Sequence, residues 1–222
     1  MKCTKFPVYF VLALLVIDFS LFLPLAVARH YIFNEDYYKK ELSGLGVYSK
    51  FPQADSMIEG TIRYLKGEDV ALDFLNENEA GHMADVRALV ARFNSLLAFS
   101  AILFFVLLLL LFLLSGQDFL RHMLKSLIFG STAVVIAFAA LFLLSANFSS
   151  LFAVFHRPFF ESGSWIFPAD STLVNLFPEK FFFGMTYRIA AVSIMISIMI
   201  AGVSAVGLLF ARNINVRRIL KE

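Results

Sequence analysis

Four stretches of this chain are long and apolar enough to cross the hydrocarbon core of a bilayer, and nothing else in it constrains the fold as much. They cover residues 6–28, 95–114, 126–146 and 189–211, and the second is the purest, with nothing polar between Phe104 and Leu114. A helix needs about 20 residues to span that core. Barrel strands would instead read as about 10 residues of alternating pattern, which these stretches do not show. The predicted fold is therefore an all-α integral membrane protein, a single membrane domain over residues 1–222 with four transmembrane helices. Composition agrees: 59% of residues are apolar and 16% charged, against about 45–50% and about 25% in soluble domains.

Charge sorts the connections. Lys2, Lys5, Arg121, Lys125, Arg212, Arg217, Arg218 and Lys221 fall on one side, with only Asp118 and Glu222 against them. The other side holds residues 29–94, with eight basic and eleven acidic residues, and 147–188, with three of each. Lys and Arg mark the cytoplasmic side. Both termini and the 115–125 loop are thus predicted to be cytoplasmic, and the segments 29–94 and 147–188 extracytoplasmic. The first span resembles a signal peptide in its flanks, Lys2 and Lys5 before it and Ala26-Val27-Ala28 at its end. Its apolar run exceeds the usual 7–15 residues of about that class, so an uncleaved helix is predicted. A net charge of +2 with no basic stripe gives no sign of nucleic acid. The lone Cys3 excludes an internal disulfide or a multi-cysteine zinc site.

Within the spans, Ser193, Ser197, Ala201 and Ala205 form a small-residue stripe, and Gly130, Ala133 and Ala137 a second. Such stripes let helices approach closely in lipid. Asp18 is the one ionisable residue at bilayer depth. It reads either as a neutral carboxyl bonded to a serine of another span or as part of a proton or ion path.

The first outer segment carries helix punctuation. Asn34 is placed to cap a helix that stops at Gly44 and Gly46, and Ser56 with Glu59 reads as a capping box for a helix ending at Gly67. Asn76 with Glu79 starts a helix that carries His82, Met83, Asp85 and Val86 towards the second span. If that helix were straight, His82 would lie about 20 Å above Ser95, so a tilt or bend is predicted around residues 92–95. The segment looks too small for a large core of its own. The second outer segment holds twelve aromatic residues in 42, including Phe148, Phe152, Phe155, Trp165, Phe181–Phe183 and Tyr187. Aromatic rings collect at the headgroup level, and here they either anchor the chain or wall a groove for an acyl chain. Pro158, Pro168 and Pro178 predict turns between them.

Serine hydrolase, zincin, phosphate-loop and dinucleotide motifs are all absent from the sequence. Proton chemistry falls to histidine. His30 and His122 sit at span edges, whereas His82 and His156 come from the two different outer segments. Asp85 at i+3 and Glu79 at i−3 can share a helix face with His82, and a carboxylate there would fix the imidazole for general base work. Arg157, next to His156, suits a headgroup or an oxyanion. From the residues alone, catalytic histidines, ordinary interfacial histidines and a metal site all stay open.

Asn78-Glu79-Ala80-Gly81-His82-Met83-Ala84-Asp85-Val86-Arg87 resembles the E-x-x-H-M-x-D-V-[KR] stretch of the lipoprotein intramolecular transacylase family, Lit. The likeness continues in Phe155-His156, Trp165-x-Phe167, Asp170, Leu173-x-x-Leu176-x-Pro178-Glu179 and Phe181-Phe182. It implies a membrane acyltransferase acting on a diacylated lipoprotein. The sn-2 acyl chain of an N-terminal diacylglyceryl-cysteine would move to that cysteine's own α-amine, leaving the lyso form, without cofactor or metal and without a covalent acyl-enzyme. On this resemblance His82 is the general base, His156 the carbonyl or oxyanion stabiliser or general acid, and Asp85 the group orienting His82. Arg157, Trp165 and Glu79 are then the substrate-binding side chains. The reading set against it is a non-enzymatic four-helix scaffold or small transporter; a related acyl transfer on a different lipid is a third.

Overall fold

The computed structural model describes residues 5–144, 148–161 and 163–219, and among these every regular element is a helix, with no strand. In chain order the helices are α1 (Lys5–Ile32), α2 (Glu35–Gly44), α3 (Val47–Lys50), α4 (Ala54–Leu65), α5 (Glu77–Ser115), α6 (Phe119–Leu144), α7 (Phe148–His156), α8 (Thr172–Leu176) and α9 (Glu179–Ile219). A 3-10 turn, Gly116–Asp118, stands between α5 and α6. Three helical stretches are long and apolar enough to cross a membrane: Phe6–Ile32, the 67-residue joined stretch Glu77–Leu143, and Glu179–Ala211. The chain is thus an all-helical membrane protein. The last two residues of the predicted third span lie outside the described residues.

The chain divides into two compact units. The first takes in the described residues of 5–26, 97–141 and 190–219 and holds most of the apolar helix length. Its outward side chains are what lipid requires: Phe105 is 69% exposed and Val203 73%. Inside, Val8, Val11 and Leu15 of α1 pack with Leu107 and Leu111 of α5. Gly130 on α6 meets the Phe19 ring so closely that an added Cβ would stand 2.7 Å from its Cδ1. Of the two small-residue stripes, Ser193, Ser197 and Gly130 are buried. Ala205 and Ala137 are exposed, and Ser204 is buried instead. The turn from Ser197 to Ser204, seven residues, keeps the face of a straight helix better than repeated steps of four. Asp18 is buried and accepts a 2.7 Å hydrogen bond from Ser100 Oγ of α5, the serine-bonded arrangement of the two foreseen for it.

The second unit takes Val27–Leu96 and Phe142–Ile189. The first of its two segments is predicted to be too small for a large core of its own, and its core is shared with the second. The two outer segments share one core, in which Tyr37, Tyr38, Leu42, Ile58 and Ile62 pack with Leu173, Leu176, Phe177 and Phe181. Tyr38 lies 4.8 Å from the Phe181 ring and 6.1 Å from that of Phe177. Neither segment could bury these rings alone; together they pool their apolar area, about 25 cal/mol for each Å² removed from water.

Local signals explain the helices. Asn34 caps α2 by accepting from Tyr37 N at 3.0 Å, and Gly46, at φ 75°, allows the turn into α3. Helix α4 starts at Ala54, two residues before the predicted box, and Ser56 Oγ donates to Gln53 O instead. Helix α5 continues unbroken through Arg92–Ser95, where Ser95 Oγ donates to Ala91 O. Helix α9 begins ten residues before the predicted span, so Phe181–Phe183 and Tyr187 belong to its first turns.

Candidate active site

His82 and His156 both belong to the second unit, and each is held by a short piece of local logic. At the start of α5, Asn76 and Glu79 bond reciprocally. Glu79 N donates to Asn76 Oδ1 and Asn76 N to Glu79 Oε2, each at 3.0 Å. This satisfies two of the helix's orphan donors and sets His82 one turn further on. His156 is the last residue of α7. Pro158 disfavours helix at the residue before it, and the chain doubles back with Phe159 N and Phe160 N both donating to His156 O. A second turn at Gly163, φ 91°, returns Trp165 to the same spot.

The result is a cluster of rings. The His82 and His156 centroids stand 6.3 Å apart, nearly parallel at 24°. Phe160 touches both, at 4.8 Å and 5.3 Å. Phe167 meets His82 edge-on at 5.5 Å, and the Trp165 indole stacks on His156 at 4.8 Å. Both imidazoles are buried, 9% and 8% exposed.

Their surroundings set their chemistry. Burial pushes His82 below the usual imidazole range, the charge of a protonated His156 pushes the same way, and Asp85 opposes both. Burial also lowers His156, against a smaller opposing effect of its bond to the Phe152 carbonyl. Near neutral pH both rings are therefore neutral. His156 Nδ1 lies 2.7 Å from Phe152 O. A carbonyl only accepts, so Nδ1 carries the proton and the Nε2 lone pair is free of it. His82 Nδ1 is buried and meets no partner among the described residues.

The remaining predicted residues are spread unevenly. Asp85 is exposed and makes no hydrogen bond to His82; it acts on that ring through its charge. Arg157 is exposed beside His156. Trp165 is half-buried against it. Glu79 is fully buried, its Oε2 on Asn76 N and its Oε1 on Leu173 N at 2.9 Å, so neither oxygen is turned to an imidazole. Sequence reasoning missed Phe160 and the Phe152 carbonyl. The second had a signal, since Phe152 lies at i−4 from His156 on one helix. Among the described residues no group of three or more His, Cys, Asp or Glu side chains gathers as a metal site would need.

Residues 8–182 match the profile of the family described as lipoprotein intramolecular transacylase Lit. The chain belongs to the Lit family. Solved structures agree in fold. The membrane-integral lipoprotein intramolecular transacylase Lit from Bacillus cereus superposes with a TM-score of 0.77 at 18% identity, covering 93% of this chain and 98% of that one. A form of the same enzyme with one histidine replaced by arginine gives 0.75 at 16% identity, covering 94% of each chain. A form with an alanine in its place gives 0.74 at 16%, covering 93% and 96%. No curated protein matches the chain by sequence. As a Lit-family member the chain is a membrane-integral intramolecular transacylase, and Lit enzymes act on lipoproteins.

Proposed function

We propose that this Lit-family enzyme moves the sn-2 acyl chain of an N-terminal diacylglyceryl-cysteine onto that cysteine's own α-amine, with His82 and His156 as its proton carriers. The observation that carries this reading is the pairing of two buried imidazoles, brought from two outer segments to 6.3 Å from one another. The amine nitrogen attacks the ester carbonyl carbon, the C=O pair becomes an oxyanion, and its collapse expels the glycerol oxygen and leaves an amide. One proton leaves the nitrogen and one reaches the glycerol oxygen, so no external donor is needed. Holding amine and ester together supplies proximity, and positioned bases typically add about 10²–10⁴-fold.

The tautomers favour a division of labour opposite to that suggested by the sequence. With Nδ1 donating to Phe152, neutral His156 offers Nε2 only as an acceptor, which suits the base. His82 Nδ1 is buried without a partner among the described residues; with its proton on Nε2, His82 would be a donor to the oxyanion. Arg157 and Trp165 flank His156, where Arg157 suits an ester or peptide carbonyl of the substrate and Trp165 its lipid portion.

The chain is read as crossing the membrane four times, at 6–28, 95–114, 126–146 and 189–211. At 1.5 Å per residue the joined 67-residue stretch would be roughly 100 Å long, about three bilayer cores. Two crossings with the reversal at Gly116–Asp118 account for it. The basic residues put both termini in the cytoplasm and the histidines on the extracytoplasmic side.

Single His82→Ala and His156→Ala variants, expressed in cells whose lipoproteins are only diacylated, test the reading through mass spectrometry of lipoprotein N-termini. Both are expected to lose the lyso product; full conversion by either removes that histidine from the mechanism.

A further inference from the structure

We propose that Glu79 is the positioning residue of this site: its carboxylate ties the start of the His82 helix to the segment that places Trp165 and Phe167 against the two imidazoles. This inference rests on the acyl-transfer reading, and it gives Glu79 a different task from touching the substrate.

The geometry is a bridge with two ends. One oxygen, Oε2, closes the cap of α5 on Asn76 N at 3.0 Å, one turn before His82. The other, Oε1, reaches across 94 positions of sequence to Leu173 N at 2.9 Å in a fully buried contact. Leu173 sits in a stretch that is stitched to itself. Ser171 N donates to Pro168 O at 3.0 Å, and the Asn175 side-chain amide donates to both Ala169 O and Ser171 O, at 2.9 Å and 2.8 Å. Fixing Leu173 therefore fixes Pro168 and the residue before it, Phe167, whose ring stands on His82. Two positions earlier is Trp165, stacked on His156. One carboxylate thus sets the separation of two rings that arise from different outer segments. Only a carboxylate fits the task. Both partners are backbone N–H donors, so both oxygens must accept, and an amide would turn its NH₂ against one of them.

Glu79→Gln keeps the shape and breaks the bridge at one end. Its kcat is expected to fall about tenfold or more with KM moving less than about threefold, because misplacement of catalytic groups by an ångström acts on the reacting geometry. The second readout is optical. Trp165 is the single tryptophan, and a protonated imidazole stacked on an indole quenches its emission. In the unaltered enzyme Trp165 emission should fall with pH as His156 gains its proton; in Glu79→Gln less than half of that amplitude should remain. A higher KM with kcat and emission unchanged would make Glu79 a substrate-binding residue and overturn the proposal. A lower melting temperature alone, with kcat and the emission titration intact, would overturn it too. If Glu79→Gln does not accumulate folded, Asn175→Ala loosens the same stretch while leaving the α5 cap in place. The same two changes are then expected, and their absence refutes the bridge. His156→Ala, which should abolish the pH-dependent quenching, serves as the control; if that variant keeps full activity, the acyl-transfer assignment of His156 fails while the emission test of Glu79 stands.

Discussion

Activity should carry the mark of buried neutral histidines in its dependence on pH. The parameter kcat/KM reports ionisations of free enzyme and free substrate. In the proposed reaction the attacking α-amine must be neutral, and its ordinary pKa is about 7.7–8.0. Between pH 7.5 and 5.5, an amine titrating at about 7.8 loses roughly seventyfold of its reactive form. A base with the ordinary histidine value of about 6.5 would lose a further tenfold over the same interval. Burial lowers both His82 and His156, so the extra loss is expected to be smaller than tenfold. The break from a slope of one to a steeper one should then lie below pH 6.5. The assay is the initial rate of lyso product from a diacylglyceryl-cysteinyl peptide in mixed micelles, read by mass spectrometry from about pH 5 to 8.5. A break at or above 6.5 refutes the reasoning; a slope of one held down to pH 5 places the base lower still, in the direction that burial dictates. Asp85→Asn separates the two rings. The Asp85 charge raises His82 but does not act on His156. If His156 is the base the break stays where it was, and if His82 is the base it moves to lower pH. Stability follows the same sign. A histidine whose folded pKa is depressed contributes fully above its unfolded value of about 6.5, and that contribution is lost as pH falls from there through the folded value. Unfolding controls are therefore needed on the acid limb.

Two further outcomes concern the membrane spans. Replacing Asp18 with leucine should cost about 0.6 kcal/mol, and no more than about 1.7, as for other hydrogen bonds between helices in lipid, measured by denaturant unfolding in detergent. Asp18→Asn should leave acyl transfer intact; abolished activity would instead put the carboxyl on a proton path. Gly130→Ala should lower the thermal midpoint in detergent, because its Cβ would stand 2.7 Å from the Phe19 ring. Overpacking costs about 1–3 kcal/mol against the roughly 1 kcal/mol that alanine gains over glycine in a helix. Phe19→Ala in the same chain should relieve the strain, and an unchanged midpoint for the single variant would show that the ring moves aside freely.

Much of the fold was legible because its signals are local or compositional. Helices α2 and α5 began where Asn34 and Asn76 offered a side-chain cap, and the apolar runs revealed the membrane. Helix α4 was misplaced by two residues because an S-x-x-E pattern also occurs inside a first turn, with Ser56 bonding back to Gln53 rather than capping. The site was half legible. His82 and His156 stood out as the two outer histidines, but nothing in their spacing shows that they meet, since 74 residues separate them. Glu79 carried two meanings in the sequence, partner of His82 or cap of α5, and the structure gives it the cap together with a distant backbone N–H.

By itself, then, the sequence determined that the chain is helical and lies in a membrane, and it singled out His82 and His156 as candidates. Twenty-residue apolar runs admit no other backbone in lipid, where every N–H must be satisfied within its own segment. Tertiary structure decided what depends on residues far apart. The two outer segments build one core because neither can bury its aromatic rings alone. The His82 and His156 rings stand 6.3 Å apart although 74 positions of sequence separate them, a meeting that no local pattern encodes.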